Sequence, residues 1–345
     1  MRPAANQPSQ PAPLQAEQKR PPVPADSGYR APWWLPGPHL QTIWPLARKG
    51  LAPPYRRERW ETPDGDFIDL DWLDGPADAP LVALFHGLEG SSQSHYAIGL
   101  MRALAAKGWR GVIPHFRGCS GEPNRLARAY HSGDSEEIDW ILRRLHPAAG
   151  GAPLHAAGVS LGGNALLKWL GEREHTAANL LASAAAVCPP LDLAISGRHL
   201  ATGFNRVYTR HFLATLKLKA LAKLTAAPEL FDAARLRRAA SLFDFDDLYT
   251  GPVHGFAGAD DYWLRASSKP WLRAVRLPTL LLLAANDPFV PPAAQPEAAE
   301  LSPAILFERP ASGGHVGFLT APWPGDTGWL ARRLLSHFEA RQDTI

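Results

Sequence analysis

From Leu81 onward, short apolar runs of strand length alternate with longer segments whose apolar residues recur every three or four positions. LVALFHG is followed by YAIGLMRALAAKG, GVIPHFRG by SEEIDWILRRL, and LHAAGVS by GNALLKWLGE. Alternation of this kind predicts a parallel sheet covered by helices. One further strand-like run, ERWETPDGDFIDLDWL, precedes it, separated from LVALFHG by the turn-rich GPADAP. A second set follows in AAAVCPP, PTLLLLAAND and AILFERP, closed by a helix through DTGWLARRLLSHFEA. The expected fold class is α/β, a mostly parallel central sheet flanked by helices.

Three stretches break the pattern. Between Leu191 and Arg276, helical segments such as FNRVYTRHFLATLKLKALAKL and ELFDAARLRRAASLF occur with no strand-like run between them. We read residues 191–276 as a helical cap, inserted before the strand that ends at Asp287 and bracketing the sheet edge where open α/β folds bind ligands. Residues 1–30 are rich in Pro, Gln and Ala and cannot bury enough apolar area to offset chain entropy, so they read as a disordered tail. The folded domain is therefore expected over residues 31–345. Its first segment, PWWLPGPHLQTIWPLA, carries bulky aromatics among helix-breaking prolines and is expected to form an ordered but non-regular leader.

Composition narrows the function classes. Hydrophobic residues make up 46% and charged residues 20% of the 345, enough for a sizeable core. A net charge of +3 without a concentrated basic arm does not describe a dedicated nucleic-acid binder. No run approaches the roughly 18–20 apolar residues of a membrane-spanning helix, and the N-terminal stretch has no signal-peptide core. Cys119 and Cys188 stand in neither a CxxC nor a Cys/His array. Neither a disulfide framework nor a structural zinc site is expected, and a reducing, cytoplasmic setting fits best. HExxH, GxxxxGK[ST] and a GxGxxG after the first strand are all missing, so no metal and no cofactor are expected.

The strongest chemical signal is Gly158-Val159-Ser160-Leu161-Gly162, a G-x-S-x-G between an apolar strand and a helix. A nucleophile on such a tight strand-to-helix turn needs small residues two positions to either side, because a side chain there would meet neighbouring backbone. The turn also sets Ser160 at a helix N-terminus, where free N–H groups can hold an oxyanion. Leu161 N–H is the natural first donor. The second is expected from the loop leaving an early strand in Phe85-His86-Gly87-Leu88-Glu89-Gly90, and we nominate Leu88 N–H.

A carboxylate at a strand's C-terminal end, Asp287 in PTLLLLAANDPFVPP, is the candidate acid, with Asn286 a weaker rival. His315, in the glycine-rich loop ERPASGGHVGFL, is the candidate base. The chain order Ser160, Asp287, His315 matches a nucleophile, acid, base sequence used for acyl transfer. His315 would take the serine proton and later protonate the leaving alcohol, while Asp287 fixes the imidazole tautomer.

Several stretches together resemble the YheT-like branch of the α/β-hydrolases, related to the plant Emb proteins: PWWLPGPHLQTIWP, HGLEGSSQSHY, GWRGVIPHFRGCSGEPN, YHSGDSEEI, GVSLGGNALLKWLGE, DDYWLRASS and ANDPFVP. The resemblance covers all but the N-terminal tail and parts of the cap. It implies the α/β-hydrolase fold, the same three residues as a triad, and esterase or lipase-like activity on small-molecule or lipid acyl esters. Some relatives pass the acyl group to an alcohol, so an acyltransferase with the same triad is one alternative; a non-catalytic binding protein of the same fold is another. Neither the acyl chain nor an oligomeric state is named by any motif.

Other residues carry two readings. Arg117 or His131, in the loops FRGCSG and YHSGD, could touch substrate; the favoured reading is a buried arginine paired with Asp134 or another acid, fixing the loops together. Cys119 lacks the elbow and reads as packing. Trp33, Trp34 and Trp44 could line a lipid-binding surface, although leader aromatics more often pack on the core. Arg198, Arg206, Arg210, Lys217, Lys219 and Lys223 occupy a cap stretch with no Asp or Glu from Leu193 to Pro228. This is either a membrane-facing amphipathic helix, making transient contact with anionic lipid, or a solvated helix face.

Overall fold

The computed structural model describes residues 25–225 and 227–340. Eight strands form one sheet in the order β1-β2-β4-β3-β5-β6-β7-β8. These are β1 (Arg56–Glu61), β2 (Phe67–Leu73), β3 (Leu81–Phe85), β4 (Arg110–Pro114), β5 (Leu154–Val159), β6 (Ser183–Val187), β7 (Thr279–Leu282) and β8 (Ile305–Glu308). β2 runs antiparallel to β1 and to β4, and every other pairing is parallel. The mostly parallel sheet expected from the alternating pattern is therefore present. Every residue of β3, β5, β6 and β7 is buried, as strands covered on both faces must be.

Side-chain alternation shows how the helices cover the sheet. His155 on β5 stacks on Phe338 of the C-terminal helix Gly328–Glu339 at 5.0 Å. Gly158, three residues on and so facing the other way, lies against Gly162 and Gly163 of the helix Leu161–Arg173. The helix His95–Lys107 packs beside the C-terminal helix, and Ser135–Ala148 beside Leu161–Arg173.

Between β6 and β7 the described residues contain helices and turns and no strand. The longest helix there, Arg206–Lys223, shares a small core of Leu213, Ala220, Leu236, Phe245 and Tyr249 with the short helices that follow it. Asn164, fully buried on Leu161–Arg173, donates to Ser132 O and Ala266 O and accepts from Ser268 N–H, tying this insertion to the sheet helices.

Two expectations about the N-terminal side need correction. Most of the tail, residues 1–24, lies outside the described residues. Residues 25–30, however, lie on the fold: Ala25 N–H donates to Phe307 O on β8, and Tyr29 is buried with its hydroxyl on Leu319 O. The leader is also more regular than its prolines suggested, with a short helix Pro38–Ile43 running into a 3-10 turn Trp44–Arg48. Pro38 and Pro45 occupy first-turn positions, where a missing N–H costs nothing and a fixed φ suits the helix.

Candidate active site

At the end of β5 the chain reverses sharply at Ser160, whose φ of 52° and ψ of −117° are strained for a residue with a side chain. Ser160 N–H donates to Val187 O, and Ser160 O accepts from Asn164 N–H, so strand and helix hold the strain from both sides. A Cβ at position 158 would stand 2.5 Å from Gly162 O, and one at position 162 would stand 2.4 Å from Phe85 O. Both contacts are with backbone, which explains physically why the two elbow positions are glycine.

The structure brings the three sequence-nominated side chains together. His315 Nδ1 lies 2.9 Å from Asp287 Oδ2 and 3.1 Å from Oδ1, and Nε2 lies 3.0 Å from Ser160 Oγ. A carboxylate can only accept, so Nδ1 carries the proton and Nε2 is left to accept from the serine hydroxyl. Asp287 is buried and also accepts from Phe289 N–H, while the Phe289 ring stacks on the imidazole at 4.0 Å and 17°. Asn286, the weaker rival, points elsewhere: it donates to Gln41 Oε1 and accepts from Gly314 N–H.

Cys188 Sγ, beneath this pair, accepts from Val316 N–H at 3.4 Å, and burial raises its thiol pKa well above the ordinary value. Cys188, Asp287 and His315 bring three potential ligand atoms within 4.8 Å of one another. Asp287 and His315 are committed to each other and the thiol stays protonated, so the set suits proton handling better than a resident ion.

The loop bearing His315 is held by residues the sequence reading missed. Thr42 Oγ1 accepts from His315 N–H at 2.9 Å, and Gln41 Oε1 accepts from Gly313 N–H at 2.9 Å. His95 Nε2 reaches Val316 O at 3.0 Å from the far side. The leader helix lies so close that a Cβ on residue 317 would stand 1.9 Å from Gln41 O. A polar Gln-Thr pair inside an apolar leader was the available signal, but about 270 residues separate it from the loop it serves.

The loop that carries Leu88 comes up against Ser160. A Cβ on Gly87 would touch Ser160 Cβ at 3.2 Å, so the loop after β3 lies directly on Ser160. Gly87 N–H donates to Tyr96 OH, Glu89 N–H to Tyr130 OH and Gly90 N–H to Gly87 O. Leu88 N–H has no partner among the described residues. Leu161 is the first residue of its helix, so its N–H is likewise unclaimed by the helix ladder. His86 braces this loop as a neutral ring, accepting from Phe116 N–H at Nε2 and donating to Gly87 O from Nδ1; burial, then the neighbouring His115 charge, lowers its pKa to about 3.

Ser160, Leu161, Leu88 and His315 open into a cavity of about 820 Å³ whose lining includes Leu200, Phe212 and Leu216 of the insertion. His131 lines it as well, with burial lowering its pKa to about 4. Arg117 also borders the cavity, but its guanidinium is spent on Asp64, Asp66 and Glu137, not on Asp134, which pairs with Arg128. Burial pushes the Cys119 thiol up to about 11, which leaves it a poor nucleophile. The cap cations are not one surface stripe. Lys219 bonds Glu89, Lys223 bonds Asn124, Lys217 caps the carbonyls of Arg237 and Ala239, and Arg198 pairs with Asp260.

A family model described as the alpha/beta hydrolase fold matches residues 80–322. The chain belongs to the α/β-hydrolase family. Among curated relatives, "Putative esterase YheT" of Escherichia coli (strain K12) is 42% identical over 86% of this chain and 88% of that protein, which places the chain in the YheT-like branch. "Phospholipase ABHD3" of Mus musculus is 29% identical over 90% of this chain and 78% of that protein. Of solved structures, mouse alpha/beta hydrolase domain-containing protein 10 superposes with a TM-score of 0.53 at 14% identity, covering 84% of this chain and all of that one, a likeness of fold. Among the described residues of this α/β-hydrolase, no helix is long and apolar enough to cross a membrane.

Proposed function

We propose that this chain is a serine hydrolase that cleaves carboxylic esters through an acyl-enzyme on Ser160. The observation that carries the reading is the unbroken relay from Asp287 through His315 to Ser160 Oγ, with Leu88 and Leu161 N–H unclaimed beside it. His315 Nε2 takes the hydroxyl proton as Ser160 Oγ attacks the ester carbonyl. The two N–H groups receive the charge that develops on the carbonyl oxygen, and Asp287 stabilises the imidazolium. Proton return to the leaving alcohol gives the acyl-enzyme, which water then resolves by the same steps in reverse roles.

Medium-chain or glycerolipid-type acyl esters are the proposed substrates. Support comes from the roughly 820 Å³ cavity lined by apolar side chains of the insertion, and from esterase and phospholipase as the names of the relatives. Hydrolysis of p-nitrophenyl esters from acetate to palmitate tests this, with a maximum expected at intermediate chain length. No turnover of any chain length would overturn the esterase reading. Ethanol added to the same assay separates acceptors: a transferred ethyl ester would mark an acyltransferase.

A further inference from the structure

Large apolar side chains exposed to solvent are unevenly distributed over the molecule. Trp33, Leu40 and Leu46 in the leader are 92%, 51% and 55% exposed, Phe204 and Val207 at the head of the helix Arg206–Lys223 are 51% each, and Trp323 is 65%. Contacts join the segments that carry them. His39 on the leader helix packs on Phe204 at 4.4 Å and bonds Tyr208 OH, and Trp44 and Trp34 pack on Trp323 at 4.8 Å and 5.2 Å. The same two segments frame the cavity, with Leu46 and Lys49 on one side and Tyr208 and His211 on the other. An apolar rim at a pocket mouth is a surface that something else covers.

Charge says what covers it. Residues 27–57 of the leader contain no Asp or Glu, and neither do residues 193–228 of the insertion. Distant in sequence, these two acid-free stretches meet at the cavity mouth. Arg48, Lys49, Arg206 and Arg210 are exposed and form no ion pair among the described residues, unlike the neighbouring Lys219 and Lys223, which are engaged inward, and Arg198, which pairs with Asp260 at the surface. Exposed tryptophan and leucine ringed by unpaired cations match an interface of acyl chains beneath anionic headgroups.

We infer that the leader and the head of Arg206–Lys223 form one docking face for an anionic phospholipid surface. Trp33, Leu40 and Phe204 enter the headgroup boundary, the four cations sit among the phosphates, and the cavity mouth is pressed to the lipid. An acyl ester can then pass into the cavity without crossing water. The delivery step rests on the esterase reading above; the docking step does not, and is tested without catalysis.

Full-length Ser160→Ala protein is sedimented with vesicles of phosphatidylcholine alone and of phosphatidylcholine with phosphatidylglycerol. Binding is expected to the anionic vesicles and to weaken with salt. Arg206→Ala and Arg210→Ala should each weaken it about fivefold. Trp33→Ala combined with Phe204→Ser should weaken it at every salt concentration, whereas Leu264→Ala, an exposed leucine outside this face, should not. Melting curves verify that each variant folds. On the wild-type background, Trp33→Ala with Phe204→Ser should lower turnover of vesicle-embedded ester while leaving a soluble short-chain ester unchanged. Equal binding to both vesicle types, no binding to either, or variants that bind like the parent would overturn the docking face. So would light scattering showing a dimer that Phe204→Ser dissociates, since a second copy would then cover the patch.

Discussion

Replacing Thr42 by valine tests whether the leader is part of the catalytic arrangement. The side chain is nearly isosteric and only 7% exposed, so packing changes little. What is lost is the acceptor for His315 N–H at 2.9 Å and the donor to Pro38 O at 2.7 Å. A buried N–H left without a partner costs about 1–3 kcal/mol. Gln41 at Gly313 N–H, Asn286 at Gly314 N–H and His95 at Val316 O still hold the loop, so it should shift locally and not unfold. If about 1–2 kcal/mol of the penalty falls on the position of His315, the productive arrangement is depleted about 5- to 30-fold. The assay pairs kcat/KM on a soluble p-nitrophenyl ester with the rate of fluorophosphonate labelling, since both report Ser160 activation by His315. Thr42→Ser keeps the hydroxyl and should restore both. Wild-type kcat/KM in Thr42→Val would refute the reasoning. So would a loss that Thr42→Ser fails to recover while the melting temperature falls in step, because packing alone would then account for it.

Three further outcomes follow from the same structure. Gly162→Ala sets a Cβ 2.4 Å from Phe85 O, so a loss of about 3 kcal/mol or more in denaturant-measured stability is expected, against near-neutral values for an exposed helical site. Asp287→Asn keeps the shape but disturbs the imidazole tautomer, and kcat/KM should fall about 10³- to 10⁴-fold with stability little changed; a loss under tenfold would deny Asp287 its role. In the β2 region, burial alone would raise the Asp66 carboxyl, but bonds from Asn124 and the N–H groups of Arg125, Phe67 and Leu126 overcome it and lower its pKa. Asp64 is likewise lowered, to about 2, by Thr62 and Arg117 against burial. Carboxyls lowered by folding contribute stability above their unfolded value near 4 that is lost as pH falls through the folded value. Unfolding free energy should therefore drop between about pH 4 and 2, and Asp66→Asn should flatten that slope; an unchanged slope would place the acid sensitivity elsewhere.

Much of this was legible in the residues, and the limits have physical causes. The elbow could be read because its constraint is local: two glycines, a strand and a helix lie within one short segment, and steric exclusion at Gly158 and Gly162 acts across a few residues. Chain order then singled out Asp287 and His315, and the polypeptide brings both to Ser160. The clasp of Gln41 and Thr42 on the His315 loop was invisible because it joins the two ends of the domain, and no periodicity encodes a contact across that separation. The cap cations were only partly legible for a related reason. Charge along one helix says nothing of what lies opposite, and Lys219 and Lys223 turn toward Glu89 and Asn124 on loops supplied by the sheet. The tail boundary erred because composition describes a segment's average, whereas Tyr29, buried against Phe318 and Trp329, and Ala25, bonded to Phe307 O, anchor the residues between them.

The most direct test of the central claim is fluorophosphonate labelling of wild type and of Ser160→Ala, read alongside p-nitrophenyl ester turnover on the same preparations. Wild type should label stoichiometrically on Ser160 and hydrolyse ester, and the variant should lose both while melting at the same temperature. A folded wild type that neither labels nor turns over, or a Ser160→Ala variant that retains turnover, would contradict the assignment of Ser160 as nucleophile.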